Sequence, residues 1–118
     1  MQNRDKTVRI SLINVPMPSA DTDYRWLLPR NLKWFRIQCR DGTAIRIATE
    51  LGNAATSSPP YWSLKGTVTT GENSQVWAED NLDIQEDEIF YFACGSAAKV
   101  VEILVGLKRT QEEEREGK

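Results

Sequence analysis

The chain has no histidine among its 118 residues. Serine or cysteine nucleophiles activated by a histidine base are therefore excluded, and so are histidine-containing zinc and iron sites. Only Cys39 and Cys94 could supply thiolates, and a zinc site would need a second cysteine pair or histidines. Both cysteines lie inside strand-like runs with no secretory signal before them, so we expect reduced, buried thiols rather than a disulfide. A pair of carboxylates is the main enzymatic chemistry left open, and we expect no enzyme, cofactor or metal site.

Long apolar runs and an excess of charge are also missing. No run approaches the roughly 20 apolar residues that span a bilayer, so we expect no membrane association and synthesis in the cytoplasm. The 15 basic and 17 acidic residues are well mixed, with a net charge of −2, which argues against nucleic-acid binding through a broad positive field. A local basic face that binds nucleic acid is still possible. The other interpretation of the same residues is that they lie on the ordinary solvent-exposed faces of strands. The candidate basic residues are Arg30, Lys33, Arg36, Arg40 and Arg46.

An amphipathic helix of useful length is absent, and short alternating apolar runs separated by turn residues are present instead. This pattern predicts an all-β, antiparallel β-sandwich or jelly-roll-like single domain of about 7–8 strands. We place the domain at residues 7–107, after a flexible N-terminal arm at residues 1–6. The charged segment 108–118 has no apolar residue and is predicted to be a tail outside the core.

The alternating runs and the turn residues between them predict where the strands and connections lie. Thr7–Val15 alternates Val8, Ile10 and Leu12 with polar residues and predicts a half-buried strand that ends at Pro16. Ser19–Asn31 predicts a connection in which Tyr24–Leu28 could form one helical turn. Further strands are predicted at Leu32–Arg40, Thr43–Thr49, Tyr61–Leu64 and Ser74–Glu79, with a bend or bulge within Lys65–Asn73.

Two segments predict β-hairpins. In Leu32–Arg40, Phe35, Ile37 and Cys39 share one face. The other face has Trp34, Arg36, Gln38 and Arg40. Asp41-Gly42 is a typical two-residue hairpin turn leading into Thr43–Thr49. Ile89–Gly106 joins two runs of β-branched and aromatic residues through small and polar residues, and predicts a closing hairpin.

The connection Asp80–Glu88 is strongly acidic, with Leu82 and Ile84 expected to point inward. Its carboxylates could collect Ca²⁺ or form half of a glycosidase pair. The spacing lacks the glycine and terminal glutamate of an EF-hand, so a solvated acidic loop is the preferred interpretation.

The aromatic residues also allow two interpretations. They could form a platform for sugars or bases, or they could belong to the core or to a subunit interface. They are Trp26, Trp34, Tyr61, Trp62 and Trp77.

The chain resembles small structural proteins of tailed-bacteriophage virions over roughly residues 28–106. The similar parts begin at Leu28-Pro29 and continue through short strand sequences in the same order. They are Phe35-Arg36-Ile37-Gln38, Tyr61–Lys65, Val76-Trp77 followed by Glu79-Asp80-Asn81-Leu82, Tyr91-Phe92-Ala93 and Val100-Val101-Glu102-Ile103. The chain departs from the resemblance at its longer 66–75 segment and its tail.

The resemblance implies a virion component, a head decoration or cement protein on the capsid exterior, which binds the major capsid protein lattice as a homotrimer. The alternative is a carbohydrate- or receptor-binding β-sandwich module of a phage tail or fibre. For a partner interface we name the apolar residues that are out of place in a free loop, together with two residues opposite the predicted core face. They are Trp26, Leu27, Leu28, Trp34 and Arg36.

Overall fold

The computed structural model describes residues 8–65 and 76–109 of the chain. Within these ranges the chain forms eight strands and one short helix. They are β1 (Val8–Met17), β2 (Tyr24–Leu27), β3 (Leu32–Cys39), β4 (Ile45–Ala48), α1 (Asn53–Thr56), β5 (Trp62–Leu64), β6 (Trp77–Glu79), β7 (Ile89–Ala93) and β8 (Lys99–Lys108). The predicted arm at 1–6, the 66–75 segment and the tail beyond 109 lie outside the described residues.

The strands form two four-stranded antiparallel sheets. Sheet A has the order β1-β8-β3-β6 and sheet B the order β2-β7-β4-β5. The pairs β1·β8, β2·β7, β3·β6 and β4·β5 are nested inside one another along the chain. Two further pairs, β3·β8 and β4·β7, join these into sheets. This is the strand order of a jelly roll, and it confirms the predicted all-β sandwich.

The core lies between the inner faces of the two sheets. Phe35 of β3 is at its aromatic centre, with edge-to-face contacts to Trp26, Trp77 and Phe90 at centroid distances of 6.2, 5.1 and 5.9 Å. Aromatic pairs in this arrangement add stability beyond the area they bury. No polar or charged side chain is buried in the part of the chain that the structure describes. Phe35, Ile37 and Cys39 face inward, as the sequence predicts.

Both predicted hairpins are wrong, because the strands concerned belong to different sheets. β3 and β8 lie in sheet A, whereas β4 and β7 lie in sheet B. The turn at Asp41-Gly42 therefore carries the chain across the sandwich. Its Gly42 N–H donates to the Cys39 carbonyl at 3.1 Å, and Gly42 has a φ of 80° that suits glycine.

Two charged groups fix this crossing. The Asp41 carboxylate accepts hydrogen bonds from Lys99 Nζ at 2.6 Å and from the Thr43 hydroxyl at 2.7 Å. These contacts, led by the one from Lys99, hold the pKa of Asp41 well below its usual range. The turn is thereby tied to the start of β8 as well as to the end of β3.

The crossing from β7 to β8 is held by the connection between β1 and β2. The Asp21 N–H donates to the Cys94 carbonyl at 2.8 Å, and the Ala98 N–H donates to the Pro18 carbonyl at 3.3 Å. Backbone groups that a hairpin would pair with each other are thus satisfied by a neighbouring loop.

Two local predictions also need correction. The segment predicted as a possible helical turn is strand β2, in which Tyr24–Leu27 pairs with Phe92–Ile89 of β7. Strand β1 does not end at Pro16, which pairs with Val100. A proline is compatible with this position because β1 is an edge strand of sheet A.

The remaining features are a short helix and two thiols. Helix α1 lies between the segments predicted as strands at Thr43–Thr49 and Tyr61–Leu64, and its Ala54 is buried against sheet B beside Ala48 and Ala93. Cys39 and Cys94 are both free and buried, as predicted, and burial raises the pKa of Cys39. No helix in residues 8–65 and 76–109 is long and apolar enough to cross a bilayer.

Candidate partner-binding face

The outer faces of the two sheets are covered to different extents. On sheet B, the α1 segment packs over Ala48 and Ala93 with Tyr91 alongside. None of the described elements covers the outer face of sheet A in this way. That face is therefore left open by the described part of the fold.

Strand register brings apolar side chains together on this outer face. Ile10 and Trp34 flank Gly106 of β8, and in the next row Leu12 and Arg36 flank Leu104. We call Ile10, Leu12, Trp34 and Leu104 the apolar patch. Ile10 and Leu12 are 65% and 76% exposed, which is unusual for large aliphatic residues on adjacent rows of one sheet.

The patch corrects the interpretation of β1. The strand is half-buried, as its alternation predicts, but the alternating residues Ile10 and Leu12 lie on its exposed side. Val15 and Met17 occupy the core instead, with Ile13 packed against it. Strand β1 is thus apolar on both faces, and only one of them is covered within the described fold.

The position of Trp34 depends on the glycine opposite it. A Cβ added to Gly106 would lie 2.3 Å from the indole of Trp34, so the ring lies directly over the glycine backbone. The Arg36 guanidinium carbon is 5.2 Å from the centroid of the same ring, within the range of a cation–π contact. Arg36 also donates to Asp80 at 3.0 Å, which fixes it beside the patch.

A polar row borders the patch on its other side. Glu102 accepts hydrogen bonds from Gln38 at 3.0 Å and from Arg40 at 2.7 Å. These contacts, with that of Arg40 the stronger, lower the pKa of Glu102. A hollow of about 410 Å³ extends from this row to Leu12 and Val76. An apolar centre with an aromatic ring, bordered by arginine and other polar groups, is the composition of a protein–protein interface.

The five residues predicted for a partner interface do not form one surface. Trp34 and Arg36 come together on the outer face of sheet A. Leu27 is exposed, but it lies on sheet B, where it pairs with Ile89. Trp26 and Leu28 are buried in the core, and a partner would have to open the sandwich to reach them. The contact surface proposed below therefore excludes Trp26, Leu27 and Leu28.

Ile10, Leu12 and Leu104 are the patch residues that sequence reasoning missed. The sequence signal for them was in β1, where apolar residues occur at both odd and even positions between Ile10 and Met17 and therefore on both faces of the strand. A strand of that kind needs a cover on each face. In a sandwich of two sheets, one of those covers must come from elsewhere.

The acidic connection between β6 and β7 does not gather a metal site. No group of three or more potential metal ligands occurs among residues 8–65 and 76–109. Asp80 and Asp87 form ion pairs with Arg36 and Arg30. Leu82 and Ile84 pack against the core, as predicted.

The aromatic residues are split between core and surface. Trp26 is buried, and Trp34 lies on the outer face of sheet A. Trp62 is 56% exposed and stacks on Trp77 at a centroid distance of 6.4 Å and an interplanar angle of 29°. Trp62 and Tyr61 line a hollow of about 270 Å³ beside β5.

No protein family, curated protein or solved structure matches the chain. Its function therefore has to be inferred from the chemistry of its own surfaces. A jelly roll by itself does not decide between functions, because the same architecture occurs in capsid, lectin and cupin proteins.

Proposed function

We propose that the chain is a structural protein of a tailed-phage virion, of the head decoration or cement type. In this proposal it binds the major capsid protein lattice through the outer face of sheet A and acts as a homotrimer on the capsid exterior. The observation that carries the proposal is the apolar patch, with Ile10 and Leu12 exposed beside Trp34. The resemblance to virion proteins supplies the partner.

The energetics of such a patch favour binding to an assembled surface. Burying a leucine or isoleucine side chain contributes about 1.5–3 kcal/mol, so Ile10 and Leu12 alone give a weak contact after the cost of association. Three copies held together would engage three contacts at once, which raises the overall affinity. A protein that binds only the assembled lattice stabilises that lattice by mass action.

The chain offers a matched pair of leucines to test this proposal. Leu12 is 76% exposed on sheet A, and Leu51 is 75% exposed beside α1 on the other side of the sandwich. We expect Leu12→Asp to reduce binding to the capsid at least tenfold, equivalent to about 1.4 kcal/mol, because a carboxylate would be buried in the contact. Leu51→Asp should bind like the unchanged chain.

The measurement is co-sedimentation of the purified chain with phage capsids. The capsids come from the phage that encodes the chain and are prepared without it. Light scattering after size exclusion gives the oligomeric state of each variant, and a trimer is expected. Trp34→Ala provides a second variant of the patch without an added charge. Equal capsid occupancy by Leu12→Asp, Trp34→Ala and the unchanged chain would overturn the assignment of the face. Absence of any capsid binding would overturn the function.

One observation favours the second function, a carbohydrate- or receptor-binding module of a phage tail or fibre. Trp62 presents an exposed ring held against Trp77, and two hydroxyl-bearing residues, Tyr61 and Thr49, line the same hollow. Stacking of an apolar sugar face on such a ring needs adjacent hydrogen-bonding groups. Binding to an array of bacterial surface glycans that is lost in Trp62→Ala, without binding to capsids, would favour this alternative.

A further inference from the structure

A second hollow lies at one end of the sandwich, under the connection between β6 and β7. Its volume is about 410 Å³. The rings of Phe35, Trp77 and Phe90 line it, together with Leu82 and Ile84 of the connection. Trp77 and Phe90 stack at 5.2 Å with an interplanar angle of 22° and are only half-buried. The aromatic core therefore reaches solvent at this point.

Hydrogen bonds hold the connection that forms the wall of this hollow. The Leu82 N–H donates to the Lys33 carbonyl at 2.8 Å, and the Leu28 N–H donates to the Glu88 carbonyl at 2.9 Å. Both ends of the wall are thus attached to the two sheets. The shape of the hollow is set by the fold before any ligand arrives, which lowers the entropic cost of binding.

The rim of the hollow is acidic, with Gln85 as an uncharged polar residue among the carboxylates. Residues 79–88 include six carboxylates and no basic residue. Asp80 and Asp87 are neutralised by arginines on the outside. Glu79 lines the hollow and accepts the Trp77 indole N–H at 2.8 Å. Three more carboxylates line it without a cationic partner among the described residues. They are Asp83, Glu86 and Glu88.

We infer that this hollow binds an arginine side chain presented by an extended segment of a partner protein. The apolar floor and the acidic rim select the same kind of group, because a guanidinium is flat, is weakly hydrated for a cation and donates several hydrogen bonds to carboxylates. A metal ion does not fit, since aromatic and aliphatic side chains supply much of the lining and offer no oxygen ligands. An ammonium group fits less well because it is strongly hydrated and not planar. This inference does not depend on the proposed capsid function.

The test uses the full chain and the peptide acetyl-Gly-Leu-Arg-Leu-Arg-Gly-amide. Binding is followed by the indole N–H resonance of Trp77 in ¹⁵N-correlated NMR spectra, assigned with Trp77→Phe. We expect a saturable shift of this resonance. Replacing both arginines by citrulline, which keeps the shape and removes the charge, should weaken binding about tenfold. The corresponding lysine peptide should bind with an intermediate affinity.

Variants of the rim distinguish the hollow from general electrostatic attraction. Glu86→Gln and Glu88→Gln should each weaken the arginine peptide severalfold. Glu50→Gln removes an exposed carboxylate near α1 and should leave the affinity unchanged. Circular dichroism checks that each variant is folded.

Three results would overturn the inference. They are no saturable shift at Trp77, equal affinity for the citrulline peptide, and an equal loss of affinity in Glu50→Gln. Capsid binding is measured separately through Leu12→Asp. A failure of the peptide test therefore leaves the proposed function standing, and a failure of the capsid test leaves this hollow standing.

Discussion

At the scale of single residues, the pair of Trp34 and Gly106 decides the shape of the apolar patch. A glycine within a strand weakens it by itself, because it contributes no side chain to packing. Here the missing Cβ is the space that the Trp34 indole occupies. An aromatic ring across a glycine compensates for part of that weakness. The absent side chain of Gly106 thus leaves room for the bulky indole of Trp34 on this row.

Gly106→Ala should therefore move Trp34 away from β8. We expect a loss of about 1–3 kcal/mol in the free energy of unfolding, as for other overpacked sites, and increased quenching of tryptophan fluorescence by iodide. Urea unfolding measures the first quantity. The cost should largely disappear in the double variant Trp34→Ala/Gly106→Ala, measured against Trp34→Ala, because the clash requires both side chains.

Gly95→Ala is the matched control for this substitution. A Cβ at Gly95 would meet no atom within 4 Å, so its effect should be within about 0.5 kcal/mol. A Gly106→Ala variant as stable as Gly95→Ala, with unchanged quenching, would contradict the role assigned to the glycine.

At the scale of elements, the α1 segment shows how one carboxylate positions a cover on sheet B. Asp23 accepts the Gly52 and Ala55 N–H groups, the second at 2.8 Å. Arg46 of β4 donates to the Ala54 carbonyl at 2.5 Å and to the Asp21 carboxylate at 2.8 Å. A four-residue helix is too short to be stable by itself. These side-chain contacts therefore hold α1 in place over Ala48 and Ala93.

Removing the carboxylate should loosen this cover without unfolding the sandwich. We expect Asp23→Ala to lower the free energy of unfolding by about 1–2 kcal/mol and to speed hydrogen exchange at the Ala55 amide by at least tenfold. Exchange in β3 and β8 should change much less. Glu50→Ala, which removes a carboxylate from the same loop, should leave the Ala55 amide protected. Equal exchange rates in the two variants would show that Asp23 does not hold α1.

The elements themselves could be predicted largely from alternation, but their partners could not. Alternation predicted β3 and the inward face of Phe35, because a period of two is a property of a single strand. Pairing depends on which other strand lies alongside, and Asp41-Gly42 has the composition of a hairpin turn whether or not its strands pair. Strand β2 was missed because Asp21, Thr22 and Asp23 before it are residues that can also cap a helical turn, although Pro29 limits any helix there.

At the scale of the whole molecule, the nested strand order explains how the apolar patch is formed and why it could not be predicted from the sequence. Sheet A combines the first and last described strands, β1 and β8, with β3 and β6 from the middle of the chain. The patch therefore joins Ile10, Trp34 and Leu104, which are far apart in sequence. No local pattern links them. Only side chains two residues apart on one strand could be placed together from the sequence. They are Ile10 with Leu12 on β1 and Trp34 with Arg36 on β3.

The same nesting predicts an order of folding. The β4·β5 pair closes a short loop, with Ile45 opposite Leu64, whereas β1·β8 joins Val8 to Lys108. Closing the outermost pair first would cost the most chain entropy, but after the inner pairs form the remaining loops are shorter. Folding should therefore proceed outward from β4·β5, on the millisecond-to-second scale of all-β domains.

Matched isoleucine-to-valine substitutions test this order. Ile45 in β4 and Ile103 in β8 are both buried in the core, so each substitution should cost about 1 kcal/mol. Folding and unfolding rates from stopped-flow fluorescence give a φ-value for each. We expect a φ-value above about 0.5 for Ile45→Val and below about 0.3 for Ile103→Val. The reverse order would mean that the pairing of β8 in sheet A forms first. The patch would then be assembled before the rest of the sandwich, and its apolar residues would be exposed in a partly folded chain prone to association.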